Sequence, residues 1–332
     1  MSTNIVDEAE TAPRMSAALV PTVAWGGDAA RKQASVAAAR TALAAGPDVT
    51  YSASLKLSST GQADDPSNVY CAAYGTADPL ELETRAGLPA STLLLASAAL
   101  GACEYWGWSS EGDGRVLRRA GVADDAPIAV LEAIRTGADP LALARHYVVD
   151  LLRALAAIRD RDGRGLTPDQ QALVRKLATL HEEGCTDPAA FRAIRRTAMA
   201  TTDAASGDVA TTVLGFAETV AWPLPGLAGE LPGFVMQAHI DLRLHLAPER
   251  ITAAEQATID ALSARYGVAH KRVEADPTLD VAAEYAKVEA SPEYAAVYAL
   301  AFVARLEHYE RVATEAYAPP AIDLLLGAFR KA

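Results

Sequence analysis

The sequence predicts a mainly α fold, a multi-helix bundle or irregular helical array with a minor β-hairpin. In the stretch Asp139–Asp160, DPLALARHYVVDLLRALAAIRD, the residues Leu141, Ala144, Val148, Leu151, Leu152, Leu155 and Ile158 recur at three- and four-residue spacing. That spacing puts them on one face of a helix. Aromatic residues make up only 6 % of the chain, and much of its apolar content is alanine, so close helix–helix approach is favoured over large-side-chain packing. After that stretch, Thr167, Asp187 and Asp208 stand where N-caps belong, each ahead of an amphipathic run.

Residues 1–27 read as a flexible N-terminal arm, with Leu19, Val20, Val23 and Trp25 able to dock on the body or on a neighbour. Residues 28–137 form an N-terminal helical region. Asp28 caps a helix that runs to Gly46-Pro47. In Val49–Ser58 the residues Val49, Tyr51, Ala53, Leu55 and Leu57 alternate with polar ones, as in a half-buried strand. Val69–Tyr74 is its expected return strand, which places a hairpin at 49–74. A helix resumes at Asp78-Pro79 and breaks at Gly87-Leu88-Pro89. Leu93–Trp106 reads as a buried helix, Arg115–Ala120 as a short one and Ala126–Thr136 as another.

Residues 138–222 form a central helical bundle around the long stretch. Asp139 is its N-cap, Pro140 suits the first turn, and Gly163 and Gly165 stop it. The next helices carry Leu173, Val174, Leu177 and Leu180, then Phe191, Ile194, Ala198 and Met199, then Val209, Val213, Phe216 and Val220. Pro223–Gly233 reads as a linker to a C-terminal helical region, 234–332, unless the whole is one continuous domain. Phe234–Leu246 alternates strictly, which favours a strand, although the flanking helices and the leucine content allow a helix. Thr252 and Glu255 form a capping box for a helix ending at Gly267. Ser291-Pro292-Glu293 starts a long helix ended by Pro319-Pro320, and Ile322, Leu325, Leu326 and Phe329 form a last docking helix.

The net charge of −12 argues against a nucleic-acid or anionic-membrane surface, because both need basic stripes. Cys71, Cys103 and Cys185 lie far apart and form neither a disulfide framework nor a zinc pattern. The start, MSTNIVDEAETAPR, lacks the basic and apolar regions of a signal peptide, and the apolar run Leu93–Cys103 is too short for a bilayer. A cytoplasmic protein is expected.

Few residues suggest chemistry. On a strand, His239, Asp241 and His245 would share a face and could form a metal set, but Arg243 lies among them; a polar outer face is the simpler reading. Asp160, Asp162 and Gly165 match the first, third and sixth positions of a calcium loop, yet Arg164, Pro168 and Gln171 stand where ligands belong, so an inter-helix turn is expected. Cys103-Glu104-Tyr105-Trp106, followed by Arg118-Arg119-Ala120-Gly121, is similar to the core of the alkylhydroperoxidase-D and carboxymuconolactone-decarboxylase family. The resemblance implies an all-helical fold and a Cys-x-x-Cys site with a nearby His, but Trp106 and Ser110 stand where the second Cys and the His belong.

The expectation is therefore a non-enzymatic protein that associates with a protein partner or with itself, with no cofactor and no metal. Trp25, Tyr294, Tyr298 and Tyr309 are its candidate interface residues, since Tyr and Trp combine apolar area with a polar handle. The alternatives are a helical enzyme with a degenerate Cys103 site, or a metal enzyme using His239, Asp241 and His245.

Overall fold

Helix follows helix through a computed structural model that describes residues 23–46, 49, 68–108, 115–119, 123–202, 209–227, 229–247, 251–276 and 278–332, the side chains at 106–108, 115–119 and 202 excepted. The fold is mainly α. The helices are α1 (Ala29–Ala44), α2 (Val69–Tyr74), α3 (Pro79–Ala86), α4 (Ala90–Leu100), α5 (Ala126–Ala133), α6 (Pro140–Ala157), α7 (Pro168–Glu182) and α8 (Pro188–Thr202). They continue with α9 (Val209–Thr219), α10 (Leu224–Leu227), α11 (Leu231–Leu246), α12 (Ala253–Ala275), α13 (Val281–Glu289), α14 (Pro292–Val297) and α15 (Leu300–Lys331).

The long central helix forms as its pattern requires. Asp139 accepts the backbone N–H of Leu141 at 2.9 Å, and Leu143, Tyr147, Val148, Leu151, Leu152 and Leu155 are buried. α6 packs on α7 and α15 and touches α4, α9 and α10. Between α6 and α7, the Asp160 carboxylate accepts the backbone N–H groups of Asp162 and Arg164, each at 2.9 Å, and Arg164 Nε at 3.0 Å. It closes an inter-helix turn by satisfying that turn's own donors. The Thr167–Gln170 pair makes a full capping box at the start of α7.

The main core runs from Ala24 to Phe329 and includes the side chains of Leu224, Leu227 and Leu231. A satellite cluster of Leu262, Ala269 and Val288, flanked by Tyr266, Tyr285 and Tyr294, holds α12, α13 and α14 together. α15 links the two. At 32 residues it is about 48 Å long, and its buried positions from Ala313 to Phe329 belong mainly to the main core.

Several expectations are corrected. The hairpin is not at 49–74: Val69–Tyr74 is a helix capped by Asn68, and 50–67 lie outside the described residues. The hairpin lies instead at β1 (Glu104–Trp108) and β2 (Arg115–Arg119), antiparallel, with Glu104 opposite Arg119 and Trp108 opposite Arg115. The buried helix expected over 93–106 ends at Leu100, and the helix expected at 115–120 is a strand. Tyr105, Trp106 and Trp108 favour strand, and Gly107 disfavours helix, so the chain changes type once the alanines stop.

Of the two readings left open for 234–246, the favoured strand is corrected: the segment is the helix α11. Its buried residues Leu231, Val235, Ala238, His239, Leu242 and Arg243 follow helical spacing, whereas Leu244, which the alternation placed inside, is 52 % exposed. α12 passes through Gly267 to Ala275, because one glycine costs a helix only about 1 kcal/mol. The helix expected from Ser291 onwards is broken at Ala299, whose backbone is extended. Pro319 and Pro320 do not end α15. Their missing N–H groups leave the Glu315 and Ala316 carbonyls without helical donors. Burial of Tyr317, Ala318, Ala321 and Leu325 offsets that loss.

Candidate functional site

Polar groups meet inside the main core where α6, α11 and α15 come together. His239 on α11 is 1 % exposed. Its Nε2 lies 2.6 Å from the Tyr147 hydroxyl of α6, and its Nδ1 lies 2.6 Å from the Tyr317 hydroxyl of α15. A neutral imidazole has one N–H and one lone pair, so one tyrosine donates to it and the other accepts from it. Both nitrogens are engaged, and burial lowers the His239 pKa to about 4, so the ring stays neutral at ordinary pH.

One turn along α11, the Arg243 guanidinium is also buried and donates to the Glu104 backbone carbonyl at the start of β1. Burial pulls its pKa down, while the Glu310 and Glu104 carboxylates nearby support its charge. Cys103 is fully buried. Burial, helped by the Glu104 carboxylate and opposed by Arg243, raises its thiol pKa to about 12. A thiol that stays protonated at neutral pH is a poor nucleophile. The arrangement therefore ties three helices and the hairpin together through hydrogen bonds and charge rather than presenting a reactive group.

The structure does not bring the metal set together. His239 is held between tyrosines, the His245 Nε2 lies 3.0 Å from the Thr212 hydroxyl, and Asp241 accepts from Gln237 at 2.8 Å. Successive odd positions share a face on a strand but not on a helix. Among the described residues no cluster of His, Cys, Asp and Glu is placed to hold a metal ion.

Of the candidate interface residues, Trp25 is a correction. It is fully buried, with its backbone N–H donating to Gly87 O at 2.7 Å. A Cβ on Gly87 would stand 2.8 Å from the Trp25 ring, so the indole fits only because residue 87 is glycine. Tyr294 is half-buried against the satellite cluster, and Tyr309 is half-buried beside His308, their ring centres 6.0 Å apart. Tyr298 is exposed and stacks on Tyr294, ring centres 4.2 Å apart.

Sequence reasoning missed the neighbours of Tyr298. Ala299, Leu300 and Ala301 are all exposed, Leu300 at 88 %, so Tyr298–Ala301 is an unbroken exposed apolar run. Ala295 and Ala296 are exposed too, with only Val297 half-buried between. It also missed Tyr147 and Tyr317; a hydroxyl-bearing ring inside an apolar helical face was the available signal.

The chain matches no protein-family model, no curated protein and no solved structure. The segment that is similar to the alkylhydroperoxidase-D core leads into a β-strand here, where that family is helical. No single helix among the described residues is long and apolar enough to cross a membrane.

Proposed function

We propose that this is a non-enzymatic protein that works by association, with a second copy or another protein, through the corner where α14 meets α15. The exposed run Tyr298–Ala301 carries this reading. Single exposed apolar side chains are ordinary, but four in a row on the outside of a fold are a pattern that function accounts for better than folding does. Tyr298, already braced by its stack on Tyr294, offers a pre-ordered anchor, and Leu300 offers the apolar area beside it. The acidic net charge of −12 supports a protein partner over nucleic acid or an anionic membrane. A cytoplasmic setting suits three cysteines that are all free thiols.

The test is the mass in solution, measured by light scattering over a hundredfold range of concentration, together with identification of any protein that co-purifies. The expected result is a mass above 34.8 kDa or a stoichiometric partner, lost in Leu300→Asp and Tyr298→Ala with the helical spectrum unchanged. A lone monomer that behaves the same with and without these substitutions would overturn it.

A further inference from the structure

A groove of about 170 Å³ opens where the starts of α4, α6 and α11 converge. Pro89, Thr92, Leu95, Leu141, Ala144 and Leu231 line most of it, and among the described residues no charged side chain does. It has room for roughly five or six waters at ~30 Å³ each, or for one or two aliphatic side chains.

The described chain begins beside this groove. Ala24 donates its N–H to Ala138 O at 2.8 Å and accepts from Gly137 N at 3.0 Å, and Trp25 donates to Gly87 O at 2.7 Å. Ala138 is two residues from Pro140, and Gly87 is two from Pro89, so both rims lie within about 7 Å of chain from these anchor bonds. The residues that precede them are chemically matched to the groove. Met15–Thr22, MSAALVPT, carries no charge, whereas Asp7, Glu8, Glu10 and Arg14 come before it. Leu19 and Val20, five and four residues ahead of Ala24, can reach about 13–18 Å from it.

We propose that the groove between the starts of α4, α6 and α11 is the docking site of this chain's own segment 15–22, with Leu19 and Val20 as the inserted side chains. The tether sets the occupant: a segment fixed at Ala24 is held at a high effective concentration over a groove this close, ahead of any free ligand or second copy. Docking in this way is an intramolecular strap across three helix starts, independent of the surface at α14 and α15.

The test places a reporter thiol in the groove of the full-length chain. Ala144→Cys is made together with Cys185→Ser, which removes the half-exposed native thiol; Cys71 and Cys103 are buried. Labelling of the introduced thiol by a maleimide is timed at two protein concentrations a hundredfold apart. The expected result is slow, concentration-independent labelling that becomes at least about tenfold faster when Leu19→Asp and Val20→Asp are added, since loss of even one of the two buried aliphatic groups accounts for a factor of about ten. Leu19→Met should keep the slow rate. Cys71 and Cys103 remaining unlabelled in all variants reports an intact fold. An equal rate with and without the aspartates overturns the proposal, as does protection that grows with protein concentration, which would mean that a second copy fills the groove.

Discussion

Tyr147 on α6 meets His239 on α11 across the core, its hydroxyl 2.6 Å from the imidazole Nε2. Tyr317 closes the other side at 2.6 Å. The three side chains satisfy one another in a setting where an unpaired polar group is costly. Tyr147→Phe should therefore destabilise the fold by roughly 1–3 kcal/mol, because it leaves one ring nitrogen without a partner. Replacing all three polar groups, with Tyr147→Phe, His239→Leu and Tyr317→Phe together, should cost less than the sum of the single changes. Denaturant melts of the single and triple variants check this. A Tyr147→Phe protein as stable as the parent would mean that the bond contributes nothing.

The same histidine makes stability depend on pH. Its pKa is about 4 in the fold against 6.5 ordinarily, lowered by burial. His181 behaves alike: burial lowers its pKa to about 4, against the opposing effect of the bond that its Nε2–H donates to Val220 O at 2.9 Å. Both rings are neutral when folded, so the unfolded chain binds more protons between those two values. The contribution is full above about pH 6.5 and is lost progressively down to about pH 4. Each ring can account for up to roughly 3 kcal/mol of that loss. Protonated His239 would face the Tyr147 hydroxyl from α6 and the Tyr317 hydroxyl from α15, neither of which carries a compensating charge. Urea melts at pH 8, 6.5, 5 and 4 should show the decline, and His239→Leu should flatten it; a profile level from pH 6.5 to 4 would contradict the assignment.

The long helix gives a sharper contrast. Leu151 is 3 % exposed and Leu152 is fully buried, while Arg153 reaches Glu182 at 2.5 Å with both side chains about half exposed. Leu151→Ala should cost ~2–5 kcal/mol through lost transfer energy and a residual cavity. Leu152→Asp should be worse, since it forces an unpaired carboxylate into the core. Arg153→Ala should cost no more than ~1 kcal/mol, the usual limit for an exposed pair. Melts of the three variants decide it, and equal losses for Arg153→Ala and Leu151→Ala would place the wrong face inward.

Where the sequence was legible, one local signal dominated. Asp28, Asp78, Asp139, Thr167 and Thr252 cap helices because their side chains accept nearby N–H groups whatever the rest of the chain does. Two patterns misled because tertiary packing outweighed them. The alternation in 234–246 fits a strand as well as it does, but helix packing on α4, α9 and α15 selects the other period. Pro319-Pro320 breaks an isolated helix, yet α15 is held through it by buried neighbours on both sides. The buried Tyr–His–Tyr arrangement was out of reach of sequence reading, since its members are 92 and 78 residues apart and no spacing rule joins them.

The arm made by α12, α13 and α14 around the satellite cluster offers a test of how independent its packing is. Its own core is thin, and α12 is tied back to α15 by Glu255, whose buried carboxylate pairs with Arg305. The same carboxylate completes the Thr252 capping box, and the Thr252 N–H together with Arg305 holds its pKa below the ordinary range. In the satellite itself Glu284 is likewise buried and bridged to Arg272 at 3.2 Å and to Lys287. Arg305→Ala leaves the Glu255 carboxylate buried without its cation, which should open the arm before the main core. Hydrogen exchange should therefore quicken across α12, α13 and α14 while α6 and α11 keep their protection. The effect should also appear in the parent protein in acid. The Glu255 contribution is present above its ordinary pKa of about 4.5 and is lost as pH falls through its lowered value. Exchange that rises equally in α6 and α12 would show that the arm and the body unfold as one unit, and that the ion pair does not gate the arm.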